Sequence, residues 1–244
     1  MNLTIKQIGK SFQTKQVLGD ISFNVQEGEF VSLIGPSGSG KSTLFGIIGG
    51  MITPDVGDIS MSGTSILNKT GHISYMPQQD SLFPWRTILD NVLLGQELYG
   101  DVHKERAIEM LEIAGLKDVI HAFPDELSGG MRQRVSFIRA LLCPQNLLCL
   151  DEPFSALDDF TRIDMQKWLL ATWEQYQQSI LFITHNIEEA LFLSDKIVIL
   201  SDSPAHVKEV ITVPFSRPRD ESLLLTDAFF KWKQKVISII KESN

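Results

Sequence analysis

Apolar positions along this chain of 244 residues come in two textures. Short alternating runs, Leu3-Thr4-Ile5 and Ile21-Ser22-Phe23-Asn24-Val25, predict strands with one exposed face. Compact unbroken runs at Phe30–Ile34, Leu147–Leu150, Ile180–Ile183 and Ile197–Leu200 instead suit parallel strands covered on both faces. Thr43–Ile48, just after a Gly-rich turn, reads as the start of a buried helix, and Ile59–Met61 and Ile73–Met76 read as further strand pieces. From about Arg86 to Ala140 the spacing becomes helical. Ala107, Ile108, Leu111 and Ala114 form one stripe, with Gly115 placed to end that helix. Phe229, Trp232, Val236 and Ile240 predict a last helix laid against the body, and residues 214–222 (PFSRPRDES) a loop-rich connector. Strands alternating with helices predict one α/β domain with room for a subdomain, and the length can bury its core.

Composition narrows the setting. Hydrophobic residues make up 43% and charged residues 21%, as in an ordinary globular protein. No apolar run approaches the roughly 18–20 residues a bilayer span needs, and the opening MNLTIKQIGKSF is too polar for a signal peptide. The expectation is a cytoplasmic protein whose membrane role, if any, comes through a partner. A net charge of −8 without a clustered basic run argues against a nucleic-acid partner. Cys143 and Cys149 read as a buried, reduced, unpaired pair without metal spacing.

The first candidate chemistry is Gly35-Pro36-Ser37-Gly38-Ser39-Gly40-Lys41-Ser42, a full match to G-x-x-x-x-G-K-[ST] between a strand and a helix. Glycines let backbone N–H groups turn toward phosphate oxygens. The helix N-terminus adds its positive dipole end. Lys41 supplies charge near the outer phosphates and Ser42 a hydroxyl for Mg²⁺, with Thr43 continuing the set. Alone, this loop specifies only a nucleoside triphosphate, since kinases, GTPases, helicases and transporters share it.

A second candidate is the apolar run that ends in Asp151 and Glu152. Asp151 suits Mg²⁺, directly or through water, and Glu152 suits a general base polarising the attacking water. Consecutive strand residues face opposite ways, so the chain must turn at the strand's end for both to reach one site. His185, after Ile180–Ile183, is either structural or a ligand to the γ-phosphate at the edge where such sheets bind ligands.

Leu127-Ser128-Gly129-Gly130-Met131 resembles the LSGGQ signature of ABC ATPases, with Met131 in place of the usual glutamine. A serine hydroxyl and two glycine amides at a helix N-terminus make a second anion-binding patch. With a cradle already present at 35–42, the natural user of Ser128, Gly129 and Gly130 is a nucleotide on a second subunit. The resemblance, which covers essentially the whole chain, implies further roles. Phe12, which by pattern alone would be core, matches the aromatic that stacks on adenine. Gln78 matches the glutamine that reaches Mg²⁺. Gln79 leaves that register open by one, and Gln78 is preferred because Leu82-Phe83-Pro84-Trp85 then falls in place. Ser155-Ala156-Leu157-Asp158 matches the segment that crosses the dimer interface, and His185 takes the switch-histidine position.

The family also implies a P-loop NTPase with a RecA-like core, an antiparallel β-subdomain and a helical signature subdomain. The cassette is expected over 1–244, with the helical subdomain at about 86–138 and a helical extension at about 222–244. It implies ATP and Mg²⁺ as cofactors and a head-to-tail pair of ATPase subunits, expected to be identical. Membrane permease subunits and, indirectly, an extracytoplasmic solute-binding protein are further implied partners, at the cytoplasmic face of the membrane. The 78–92 region and Ser216-Arg217-Pro218-Arg219-Asp220 look like the importer ATPases for nitrate, sulfonate, taurine and thiamine precursors. An exporter or lipid-extraction ATPase is the alternative, and a non-transport ABC protein of translation or DNA repair a third reading.

Overall fold

The structure is a computed structural model that describes residues 2–242; the extreme ends of the expected 1–244 span lie outside the described residues. In chain order the elements are β1 (Leu3–Phe12), β2 (Lys15–Val25), β3 (Phe30–Ile34), α1 (Lys41–Ile48), β4 (Val56–Met61), β5 (Thr64–Ser65) and β6 (Ser74–Met76). There follow α2 (Ile88–Tyr99), α3 (Lys104–Ile113), α4 (Gly129–Leu141), β7 (Leu147–Asp151), α5 (Asp159–Tyr176), β8 (Ser179–Ile183), α6 (Ile187–Leu193), β9 (Lys196–Leu200), β10 (Val207–Thr212) and α7 (Asp227–Lys241).

Two sheets divide the strands. One has the order β10-β9-β3-β8-β7-β6, and the other β2-β1-β4-β5. In the first, β9, β3, β8, β7 and β6 run parallel, and only the edge strand β10 is antiparallel to its neighbour. The unbroken apolar runs are explained by burial: every residue of β3, β7 and β8 is covered. Their side chains alternate between two cores. Leu147, Cys149, Leu181 and Ile183 join a cluster with α1 and the antiparallel sheet. Leu148, Leu150, Ile180 and Phe182 join one with α5, α6 and α7.

The helical stretch has a core of its own, built from Ile88, Val92, Leu111, Val135, Ile138 and neighbours. In α3 Ala107 and Leu111 are buried and Ile108 partly so, Ala114 at the helix C-cap is buried too, and Gly115 follows at φ 70°. Met131 packs partly buried against this same cluster. In α7, Phe229 and Val236 are buried and Trp232 and Ile240 partly so, against the α5–α6 core. The arginines of the 216–220 segment cap α6: Arg219 Nη1 donates to the carbonyls of Leu191, Phe192 and Ser194, and Arg217 Nη2 to that of Leu193. These contacts satisfy carbonyls that a helix C-terminus leaves without partners.

One expectation is corrected. The two cysteines are free, but only Cys149 is buried; Cys143 is half-buried, its thiol donating to Gln145 Oε1 at 2.8 Å. Its place in the turn after α4 leaves one side open, which an apolar neighbourhood in sequence did not reveal. Among the described residues, no helix is long and apolar enough to cross a membrane.

Candidate active site

Four adjacent strands, β3-β8-β7-β6, end on one edge of the parallel sheet. At or just beyond their ends stand, in the same order, the 35–42 loop, His185, Asp151 with Glu152, and Gln78. Ligands in open α/β sheets bind at this carboxyl edge. The cleft there is walled by Val17, Ser37, Gly38, Gly40, Lys41, Ser42, Thr43, Gln78, Asp151, Glu152, Ile183 and His185.

The loop's shape depends on two glycines. Gly38 has φ 79° and Gly40, the residue before α1, φ 89°. Both lie where a side chain is strained. At Gly40 a Cβ would also meet Leu18 at 2.7 Å and Val17 at 2.8 Å, so the close approach of β2 requires glycine. Lys41 leads α1 and folds back into the loop: Nζ donates to the carbonyls of Gly35 at 2.9 Å and Pro36 at 2.8 Å, and to Ser39 Oγ at 3.4 Å. Burial lowers its pKa, and the charges of Glu152 and Asp151 oppose that shift. The result is a cation held over backbone carbonyls, facing two carboxylates.

Asp151 is 3% exposed. Burial raises its carboxyl above the ordinary range, and Glu152 adds to the rise; the Ser42 hydroxyl bonded to it and the Lys41 charge pull the other way. Glu152 sits in the left-handed region, φ 49°. Its N–H donates to Ile183 O at 3.0 Å, and its carbonyl accepts from Ser155 N at 3.2 Å and Ser155 Oγ at 3.0 Å. This turn breaks the strand's alternation and lets the carboxylate reach the cleft beside Asp151. There Gln78 Nε2 donates to Glu152 Oε2 at 3.1 Å and His185 Nδ1 lies 3.3 Å from Oε1. Of the two glutamines, Gln78 lines the cleft and Gln79 does not. A carboxylate gripped by a glutamine and an imidazole, next to a buried acid and a phosphate-type loop, can accept a proton from water at a triphosphate.

Other predicted residues lie elsewhere. Ser128 caps α4, its Oγ accepting from Met131 N at 3.3 Å, and Gly129 and Gly130 form the helix's first turn. This patch does not wall the chain's own cleft. Asp158 caps α5, accepting from Thr161 N at 3.1 Å; hydrogen bonds from Thr161 hold its carboxyl below the usual range. Phe12 ends β1 at the hairpin, 45% exposed, and it too is outside the cleft walls.

Sequence reasoning assigned no role to two buried polar residues, one that holds this site and one that holds a loop outside the cleft walls. Gln133, buried in α4, bonds to the 152–156 segment. Asn91, 0% exposed, holds the 83–87 loop: its Oδ1 accepts from Phe83 N at 2.8 Å and its Nδ2 donates to the carbonyls of Phe83, Arg86 and Thr87. A polar residue on the apolar face of each helix was the available signal.

Comparison with known proteins shows the family and the fold. The family model described as ABC transporter matches residues 18–155. The aliphatic sulfonates import ATP-binding protein SsuB of Bacillus cereus (strain ZK / E33L) is 39% identical over 241 residues, 97% of this chain and 95% of that protein. The formylaminopyrimidine import ATP-binding protein ThiZ of Halalkalibacterium halodurans is 43% identical over 216 residues, 87% of this chain and 84% of its own length. Among solved structures, a dimeric post-hydrolysis state of the ATP-binding cassette MJ0796 bound to ADP and Pi superposes with a TM-score of 0.78 at 29% identity. It covers 88% of this chain and 100% of that one.

Proposed function

Because the chain belongs to the ABC transporter family, we propose that it is the ATP-binding and ATP-hydrolysing subunit of an importer, powering uptake of a small solute through a membrane permease. The observation that carries the reading is the ordered edge of four strands, which brings the 35–42 loop, His185, both carboxylates and Gln78 to one cleft. Relatives named as import ATP-binding proteins align over nearly the whole chain, which favours import over export or lipid extraction.

In this reading the 35–42 loop and Lys41 hold the triphosphate, Thr43 lines its entry and Phe12 stacks on adenine. The oxygens of Asp151, Ser42 and Gln78 fit Mg²⁺, a hard cation that takes one or two carboxylates and substrate phosphates and keeps several waters. Held there, the ion would supply positive charge against the phosphoryl oxygens. Burial and a like charge strain the Asp151 carboxylate in a direction that a cation relieves. Glu152 takes the proton of the attacking water, while Gln78 and His185 hold its carboxylate on target.

The patch at Ser128, Gly129 and Gly130, which does not wall its own cleft, seals the nucleotide of a second, identical chain. Asp158 and the preceding segment lie at that seam. The helical subdomain at about 86–138 and the loop after Gln78 meet the permease at the cytoplasmic face of the membrane, and the described part of the extension, through α7, braces the core. A solute-binding protein outside the membrane chooses the cargo, and nucleic acid has no part.

The test is affinity capture of the tagged chain from solubilised membranes, followed by identification of what comes with it. An importer-type permease is expected. Recovery of an exporter permease, or of ribosomes, would reject the reading.

A further inference from the structure

Helix α4 does more than present the Ser128–Gly130 turn. Its Gln133 is 4% exposed and uses both ends of its amide on the segment after β7. Nε2 donates to the carbonyl of Glu152 at 3.3 Å, and Oε1 accepts from Ala156 N at 3.1 Å. The partners allow one orientation only, because a carbonyl accepts and an N–H donates. The Glu152 carbonyl belongs to the strained residue whose side chain enters the cleft. The same helix meets this segment a second time: a Cβ at Gly130 would stand 3.3 Å from Leu157. Farther along, Arg162 Nη2 donates to Leu157 O at 2.8 Å, so the segment has little slack.

We infer that Gln133 is a positioning residue that sets Glu152 according to the state of the opposite nucleotide site. The inference rests on the two-chain sandwich proposed above. In that sandwich, one chain's Ser128–Gly130 turn answers to its partner's nucleotide, while its Glu152 serves its own. Gln133 is the buried link between them. A shift of α4 on engaging the partner's γ-phosphate moves the Glu152 carbonyl through a fixed amide, and the base is aimed only when the other site is filled. Gln133 touches neither nucleotide itself. Each site therefore reports to the other, and hydrolysis depends cooperatively on ATP.

The experiment compares the full-length wild type with Gln133→Met, which keeps length and loses both bonds, and Gln133→Glu, which keeps the acceptor for Ala156 N–H and loses the donor to Glu152. Monomer affinity for a fluorescent ATP analogue, ATP-driven dimerisation by light scattering and hydrolysis across ATP concentrations are measured, with thermal melts to confirm folding. Both variants are expected to bind nucleotide and dimerise as the wild type does. Turnover should fall about 10–100-fold, the scale of a misplaced catalytic group. The Hill coefficient should drop from near 2, its ceiling for two sites, to about 1. A role in packing alone would lower the melting temperature and leave the Hill coefficient unchanged, which would overturn the inference. So would a folded Gln133→Glu with wild-type turnover and cooperativity, and this variant decides the matter if Gln133→Met does not fold. A wild type that dimerises yet hydrolyses ATP without cooperativity would remove the coupling and spare the sandwich. One that stays monomeric with ATP would remove both.

Discussion

Glu152→Gln isolates proton transfer from everything else in the cleft. The substitution preserves the side chain's length and the backbone turn at φ 49°. Gln78 Nε2, 3.1 Å away, keeps an oxygen to donate to. What disappears is a negative charge and the ability to take a proton. The cradle is untouched: the carbonyls holding Lys41 come from Gly35 and Pro36. Loss of the Glu152 charge removes one influence that raises the Lys41 pKa, but Asp151 supplies another and remains. A positioned base contributes about 10²–10⁴-fold, or about 3–5 kcal/mol of barrier. Nucleotide affinity should accordingly stay close to wild type while phosphate release slows by that factor. In the proposed two-chain sandwich, unhydrolysed ATP keeps the nucleotide sealed between the chains, so the variant should accumulate as an ATP-loaded dimer. Steady-state phosphate release and gel filtration with retained nucleotide measure the two effects. A fall smaller than about tenfold, one step of 1.4 kcal/mol, would reject Glu152 as the base.

Ser128→Arg places a bulky cation at an exposed cap whose Oγ accepts from Met131 N, so the variant should lose about 1 kcal/mol of helix capping and still fold. It should bind ATP as a monomer and fail to form ATP-driven dimers in light scattering; dimers of normal size would contradict the trans role of the patch. Asn91→Leu fills the same buried space and leaves Phe83 N–H and Arg86 C=O without the partners Asn91 gave them; Phe83 C=O still accepts from Arg86 N and Thr87 C=O from Asn91 N. At about 1–3 kcal/mol for each orphaned group, and with water able to reach this loop, the expected loss is about 2–4 kcal/mol in urea unfolding. A change under about 0.5 kcal/mol, the range of a neutral surface substitution, would show that the bonds contribute nothing net.

What was legible in the sequence was whatever a local pattern encodes. β3, β7 and β8 are unbroken apolar runs because both faces are covered, and the 35–42 loop is legible because each of its residues answers to phosphate geometry. β10 escaped notice for the converse reason. It is an edge strand, VKEVIT, in which only Ile211 is buried, so neither alternation nor an apolar run marks it. His206 has no local signature either. Its Nδ1 accepts from Asp20 N at 3.2 Å across most of the chain, a partner that only the folded β2 brings near. The 216–220 segment was noticed as a resemblance, but its physical reason, arginines capping α6, depends on a helix end placed beside it by the fold.

The two consecutive acids show how one deviation from regular structure creates a division of labour. Had β7 continued as an extended strand, Asp151 and Glu152 would face opposite sides of the sheet. One would then enter an apolar core, where an unpaired charge is costly. The left-handed turn at Glu152 places both in one cleft, yet in different surroundings. Asp151 stays within the strand, 3% exposed, bonded to the Ser42 hydroxyl and raised by burial, an environment that a cation improves. Glu152, one residue on, has its side chain 19% exposed and meets the polar ends of Gln78 and His185, the latter 66% exposed, where a water molecule and a proton can come and go. A non-glycine residue at positive φ costs of order 1 kcal/mol or more. Here the Ile183 carbonyl, the Ser155 backbone and hydroxyl, and the Gln133 amide hold it in place. That concentration of bonds on one strained peptide argues that the turn is maintained for the carboxylate it aims.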